Sequence, residues 1–442
     1  MVSRTCSSSY SCFSVRIKLH LARMEALPDA IVQYILSHMR NARDVTSCAC
    51  VSRRFKESMS FVRSLYFPRH CFDNSCGTAD SDTVVSRMVS SIVWLEELVV
   101  YCPFSNAGLA SWLSSTSCSL RHLELRLDNQ NDKHVQNGMP TKLDCIGYAT
   151  GLESLKLWGV LMDHSPKWGV FKNLQNLEIV GAIMEDRALS DAFRVCPNLR
   201  NLLLRSCEGL RSVSIELQQL EQCRLEFYGM GNCSLTVSCP KVQLIEIQGC
   251  NWIRVNQTSC LRNLSISSSE GRVHKVEFGK LGALEFLSIK GVQWRWDAVS
   301  TILQCAREVK HLVMKVEFTG NSDNPLPFPE VDLVDFFNSH QKLQTFEIHG
   351  AMFAALCQKN SLKSVDSRFV IPCLKEVVIT VRSPLNAQQK MRTLGSILKY
   401  GKELRRMVIR ISQMKNFHTS ADYFFEEIFR LRYLNKKVVW IE

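Results

Sequence analysis

One short apolar motif, L-x-x-L-x-L, recurs from residue 95 almost to the end of the chain, at intervals of 19 to 34 residues. Apolar residues at its first, fourth and sixth places alternate with the residues between them, as a strand with one buried face requires. The motif starts at Leu95, Leu120, Leu152, Leu174, Leu199, Leu220, Val242, Leu261, Leu284, Val309, Leu343, Leu374 and Leu404. Such a chain is expected to stack its turns rather than to fold around one compact core.

The intervals centre on the roughly 20 to 29 residues of a leucine-rich repeat. Each repeat is predicted to add one short parallel strand to a shared sheet, with helices on the convex side over 188–196, 298–306, 331–340 and 388–400. Between 199 and 284 the helical pattern is replaced by extra apolar segments at 210–215 and 273–278, which predict second strands. The predicted fold class is α/β: an N-terminal helical module followed by a curved solenoid with a parallel sheet on its concave face.

A helical module precedes the repeats. Pro28 suits the first turn of a helix, and Asp29 suits the positive end of its dipole. A second helix is expected to carry Val45, Cys48, Val51 and Phe55 on one face. About 40 residues of short helices are too few to hold an independent core, so we expect this module to lean on a partner.

The module resembles the F-box motif through Leu27-Pro28, Ile35-Leu36-Ser37, Asp44-Val45 and Val51-Ser52-Arg53-Arg54-Phe55-Lys56. Met39 stands where leucine is common and Phe55 where tryptophan is typical, and both keep bulk and apolarity. The resemblance implies docking on a Skp-type adaptor. The residues it assigns to that contact are Leu27, Pro28, Ile31, Ile35, Leu36, Met39, Asp44, Val45, Val51, Arg53 and Phe55.

An F-box followed by leucine-rich repeats resembles the F-box/LRR family, particularly its plant branch. Cys373-Leu374-Lys375-Glu376-Val377, then 394–398 and Leu404-Arg405-Arg406-Met407, look like the FBD segment that closes many of those proteins. The expected organisation is an extension over 1–23, an F-box over 24–67, a solenoid over 68–370 and FBD-like repeats with a cap over 371–442.

The resemblance implies the substrate-recognition subunit of a Skp-cullin-F-box ubiquitin ligase, with the adaptor, the cullin behind it and an unidentified target protein as partners. One alternative is a scaffold that binds the adaptor without promoting ubiquitin transfer. Another follows the plant LRR receptors of this family that hold a small hormone or an inositol phosphate in the concave face, and a dense basic cluster there would support it. The outward strand residues mix both charges instead.

Signals for catalysis are absent from the sequence, which contains no G-x-x-x-x-G-K-[ST], G-x-G-x-x-G, H-E-x-x-H or G-x-S-x-G. The histidines and cysteines show no zinc-ligand spacing. We therefore expect a binding subunit with no catalytic residue, no metal and no cofactor.

Target contacts are expected from outward residues of the strands, among which aromatic and arginine side chains are the usual anchors. The candidates are Tyr101, Arg126, Lys156, Trp158 and Arg205. Trp158 is either an anchor or a cover for the neighbouring strand, and Trp294-Arg295-Trp296 is either a functional rim loop or core. The formal charge of +12 is spread along the chain rather than gathered in a stripe, so we expect no nucleic-acid partner.

The 19 cysteines are odd in number, lack C-x-x-C and lie largely in apolar runs, which favours reduced thiols in the cytoplasm or nucleus. No apolar run near the start has the length of a signal or spanning segment, so no membrane is expected. Residues 1–23 are rich in serine and arginine and contain no acid, a composition found in transit peptides and equally compatible with an upstream extension before Met24.

Overall fold

The computed structural model describes residues 27–70, 78–128, 140–228, 233–256, 259–268, 273–318, 328–359, 369–412 and 418–442. The predicted extension 1–23 lies outside these ranges. The chain divides into two compact units: the first contains the residues up to 183 together with 187–199, and the second contains 184–186 and everything from 200 onward.

The helical module consists of α1 (Asp29–His38), α2 (Ala42–Val51) and α3 (Arg53–Ser58), followed by a 3₁₀ turn over Met59–Phe61. The single second helix expected from the sequence is wrong, because the chain is extended at Ser52. The Ser52 hydroxyl accepts a hydrogen bond from the Arg54 N–H and caps α3. Two short helices with a capped break therefore replace one longer helix.

The first unit continues into a parallel sheet with strand order β1-β2-β3-β4-β6, in which β5 pairs with β6. The strands are β1 (Ser64–Phe67), β2 (Glu97–Val100), β3 (His122–Arg126), β4 (Ser154–Trp158), β5 (Leu161–Met162) and β6 (Asn176–Met184). The helices are α4 (Thr78–Ser90), α5 (Asn106–Thr116), α6 (Lys142–Ile146) and α7 (Asp186–Arg194).

The second unit has two parallel sheets, of order β7-β9-β11-β13-β15-β16-β17-β18-β19-β20 and β14-β12-β10-β8. The first contains β7 (Asn201–Glu208), β9 (Gln222–Phe227), β11 (Leu244–Gln248), β13 (Asn263–Ser268), β15 (Phe286–Trp294), β16 (His311–Phe318), β17 (Thr345–His349), β18 (Glu376–Val381), β19 (Arg406–Ile411) and β20 (Val439–Ile441). The second contains β8 (Ser212–Ile215), β10 (Cys233–Ser238), β12 (Cys250–Asn256) and β14 (Lys275–Phe278). The helices are α8 (Trp296–Cys305), α9 (Leu333–Ser339), α10 (Gly350–Gln358), α11 (Ala387–Tyr400) and α12 (His418–Leu434).

In every L-x-x-L-x-L motif a strand begins two residues after the first position. The first example is Glu97 after Leu95, and the last is Arg406 after Leu404. The first position is a buried apolar residue in each repeat except the last, where Leu404 is half-buried. The predicted second strands are also present, as β8 and β14. The predicted fold class of helical module, repeats and parallel sheet is confirmed.

Successive turns are held together by a repeated pair of backbone hydrogen bonds. The N–H groups of Arg121 and His122 both donate to the carbonyl oxygen of Glu96, at 2.8 and 2.9 Å. The same pairing recurs along each unit, as far as Arg405 and Arg406 on Lys375. Each strand is thereby placed in register with the one before it.

The first turn of the sheet belongs to the end of the helical module. Val62, Leu65 and Phe67 occupy the first, fourth and sixth places of the repeat motif and are fully buried. The carbonyl oxygen of Arg63 accepts hydrogen bonds from the N–H groups of Glu96 and Glu97, as in the later turns. This turn was not predicted, because its motif carries phenylalanine at the sixth place, where the others carry leucine, isoleucine, valine or methionine.

Candidate protein-interaction surfaces

The core of the helical module contains three of the residues that were predicted to touch an adaptor. Leu36 and Val45 have no exposed surface, and Phe55 is 2% exposed. An adaptor cannot reach these side chains while the module stays folded. The structure therefore assigns them to the module's own packing, and the predicted contact moves to the exposed members of the set.

Those exposed members lie mainly along α1. Ile31 is 45% exposed, and its neighbour Tyr34, which was not predicted, is 66% exposed. Pro28, Asp44 and Arg53 are also exposed, and Leu27, Ile35 and Met39 are half-buried, while the side chain of Val51 lies outside the description. Residues three apart lie on one helix face, so Ile31 and Tyr34 form an apolar surface beside the half-buried Ile35.

The helical module is fixed to the sheet of the first unit by polar contacts as well as by the shared turn. The Arg63 guanidinium lies 3.0 Å from the Glu96 carboxylate, and Arg40 lies 3.9 Å from Glu97. Between them, the backbone at Asn41 forms a parallel bridge with Tyr66 on β1. The module and the first strands therefore form one packed body without an intervening linker.

On the strand face of the first unit, three side chains converge on the carboxylate of Glu124. The Tyr101 hydroxyl and the Trp158 indole N–H both donate to its Oε1, the latter at 2.7 Å. The Lys156 ammonium lies 3.6 Å from the same oxygen and 3.3 Å from the carboxylate of Glu178. Strand register brings them together, because Glu124, Lys156 and Glu178 are direct partners across β3, β4 and β6.

Aromatic rings flank this carboxylate. Tyr66 and Tyr101 meet edge to face with centroids 5.5 Å apart, and the Lys156 ammonium lies 4.8 Å from the centroid of the Trp158 ring. Burial, reinforced by the hydrogen bond to Glu124, raises the pKa of Tyr101, so its hydroxyl remains a donor at neutral pH. The Trp158 side chain is half-buried. Its indole N–H is hydrogen-bonded to Glu124, and its ring contacts the Lys156 ammonium.

Arg126 has a partner of its own beside this group. Its guanidinium makes two hydrogen bonds of 2.7 Å to the carboxylate of Asp128. Those bonds lower the pKa of Asp128 and keep it ionised. The predicted candidates Tyr101, Arg126, Lys156 and Trp158 therefore share one face, and the carboxylate that joins three of them was not singled out from the sequence.

The fifth candidate, Arg205, lies on the strand face of the second unit. It borders a shallow depression of about 290 Å³ whose lining includes Leu203, Glu226 and Ser265. Arg205 lies 3.7 Å from Glu226, and Arg224 lies 3.1 Å from Glu246. Each of these two arginines thus forms an ion pair with a glutamate on the neighbouring strand.

Of the two tryptophans in the segment Trp294-Arg295-Trp296, one is a core residue. Trp294 ends β15 with no exposed surface, and its indole N–H donates to the carbonyl oxygen of Lys290 at 3.0 Å. Trp296 begins α8 half-buried, with its ring 5.8 Å from that of Phe318. Only Arg295 separates the strand from the helix.

The described cysteines are free thiols, and most are buried. Burial raises the pKa of Cys196 to about 12 and that of Cys223 further, so both stay protonated and unreactive. Among the residues that the structure describes, no three His, Cys, Asp or Glu side chains cluster as metal ligands. No helix within those ranges combines the length and apolar character needed to cross a membrane.

Comparison with known proteins finds similarity over the helical module and over the repeats. A family profile described as "F-box-like" matches residues 24–67. Another, described as "FBD-associated F-box protein At5g56370, LRR repeats", matches residues 109–326. The F-box protein At1g10780 of Arabidopsis thaliana is 59% identical over 419 residues, which cover 95% of this chain and 100% of that protein.

Proposed function

The chain belongs to the family of F-box proteins with leucine-rich repeats, and from that membership we propose that it is the substrate-recognition subunit of a Skp-cullin-F-box ubiquitin ligase. An F-box typically binds a Skp-type adaptor, and proteins of this family are generally non-catalytic receptors. In the proposed complex the adaptor joins the chain to a cullin, and the strand face holds the target protein.

The observation that carries the proposal is the shared turn between the helical module and the sheet. Val62, Leu65 and Phe67 continue the module directly into the first strand, and the carbonyl of Arg63 binds the next turn. A receptor without its own chemistry accelerates ubiquitin transfer by holding the target near a charged ubiquitin carrier. This junction keeps that position defined, because residues 27–70 run from the proposed adaptor contact into the first strand through consecutive helices and one turn.

The adaptor contact in this proposal is the exposed apolar surface of α1. Ile31 and Tyr34 would be covered by the adaptor, with Pro28 and Ile35 beside them. The core residues Leu36, Val45 and Phe55 hold α1 in place beneath that surface. The free, buried thiols support a reducing compartment, and we accordingly propose the cytoplasm, the nucleus or both.

Reconstitution of the complex tests the proposal. The full-length chain is combined with a Skp-type adaptor, a cullin with its RING subunit, a ubiquitin-conjugating enzyme and ubiquitin, and ubiquitin attached to the chain itself is measured. We expect adaptor-dependent attachment that is lost in Ile31→Lys. A chain that joins the complex through the adaptor but never receives ubiquitin would instead be a scaffold that does not promote ubiquitin transfer.

A further inference from the structure

We propose that the strand face around Glu124, Glu178, Tyr66, Tyr101 and Trp158 binds a basic side chain, preferably arginine, of a partner protein. We name this group the acidic-aromatic surface. The inference rests on the proposed function only in calling that partner a ligase target. It adds the chemistry by which the target is recognised.

The two carboxylates of the acidic-aromatic surface, Glu124 and Glu178, are one cation short of charge balance. The carboxylates of Glu124 and Glu178 share the single ammonium of Lys156, at 3.6 and 3.3 Å. Arg126 and Arg69 both lie beside Asp128, and the Arg126 guanidinium is held there by two hydrogen bonds rather than by Glu124 or Glu178. The three groups therefore carry one net negative charge on a chain whose overall formal charge is +12.

The geometry of this surface suits a cation. Glu124 is fixed by the Tyr101 hydroxyl and the Trp158 indole N–H, so little side-chain entropy is lost when a partner binds it. The contacts described for it all use Oε1, and a carboxylate offers further acceptor positions. The Trp158 ring already accommodates the Lys156 ammonium at 4.8 Å, which shows that a cation is favourable there.

An incoming guanidinium has a defined place in this arrangement. If it binds Glu124, Lys156 can remain with Glu178, and each carboxylate then has one cation. The planar guanidinium can lie flat on an aromatic face and donate two parallel hydrogen bonds to a carboxylate, whereas an ammonium is a point charge without that fork. An acidic partner side chain would add a second uncompensated negative charge beside Glu124 and Glu178 and would be repelled.

Selection from a random peptide library displayed on phage tests the proposal with the purified full-length chain. We expect arginine, and to a lesser degree lysine, to be enriched over the input library. In the best selected peptide, replacing the arginine by citrulline removes the charge and keeps the shape. We expect this change to weaken binding about tenfold with the natural chain and to have little effect with Glu124→Gln, because the charge that it meets is gone.

Glu246→Gln is the matched control, since Glu246 is a strand-face glutamate that its own Arg224 already neutralises at 3.1 Å. Arginine enrichment should persist in this variant. The proposal is overturned by enrichment of aspartate or glutamate, by no charge preference, or by arginine enrichment that survives Glu124→Gln undiminished. Adaptor binding measured on the same preparations shows separately whether the proposed ligase function has failed.

Discussion

The backbone N–H of Tyr66 donates to the carbonyl oxygen of Arg40 at 2.7 Å. This hydrogen bond joins the loop between two helices of the F-box to the first strand of the sheet. With the Arg63 carbonyl bound to the next turn, it makes the end of the F-box the first turn of the repeats. The proposed adaptor contact and the proposed target surface of the first unit therefore lie on one continuous scaffold.

The inward and outward assignment of strand residues predicts opposite effects for two neighbouring leucines in β7. Leu202 is 2% exposed, whereas Leu203 is half-buried on the strand face. Leu202→Ala should lower the free energy of unfolding by about 2 to 5 kcal/mol, because it leaves a cavity. Leu203→Ala should cost less than about 1 kcal/mol. Chemical denaturation measures both, and equal losses would show that the strand register is wrong.

A glycine at the end of β11 is required by the close approach of the preceding turn. Gly249 has a φ of +86°, and a Cβ atom there would lie 2.1 Å from the carbonyl oxygen of Phe227. Gly249→Ala should therefore destabilise the protein by more than about 1 kcal/mol. Gly282→Ala is the control, since nothing lies within 4 Å of its added Cβ. Similar melting temperatures for the two variants would contradict this account of the turn.

The thiols should differ in reactivity according to their exposure. Cys50, Cys118 and Cys260 are exposed, whereas Cys196 and Cys223 are buried with raised pKa values. Brief alkylation of the native protein without reductant should label the exposed three and leave the buried two unlabelled, because the thiolate is the reactive form. Peptide mass spectrometry reads the result. Stoichiometric disulfides among these five cysteines would overturn the assignment of a reducing compartment.

The sequence predicted the strands better than the surfaces. Each of the thirteen predicted motifs marks the start of a strand, because an inward apolar residue stands two places before it, as Leu152 stands before Ser154. The sequence did not predict β1, whose motif begins at Val62, or β5, β10, β12 and β20. The helical pattern also missed the break at Ser52, where a hydroxyl caps the next helix. Propensity and spacing describe local structure, and a single capping contact can change it.

Contacts between strands were beyond prediction for a different reason. Tyr101 and Trp158 were both placed outward, yet their meeting at one oxygen of Glu124 depends on the register of three separate turns. The burial of Trp294 likewise depends on its neighbours across the sheet, because its backbone pairs with Phe318 of β16 and with Val273. An L-x-x-L-x-L pattern fixes which face a residue occupies and leaves its partners open.

The central claim, that the F-box surface recruits a Skp-type adaptor, is tested most directly by the affinity of the purified chain for that adaptor. Ile31→Lys places a charge on the exposed apolar surface of α1, and Leu161→Lys makes the same change at a 61% exposed leucine of β5. Because both sites are exposed, both variants should unfold within about 0.5 kcal/mol of the natural chain. We predict that Ile31→Lys weakens adaptor binding at least about tenfold while Leu161→Lys leaves it unchanged. Adaptor binding by a folded Ile31→Lys variant at the natural affinity would contradict the account.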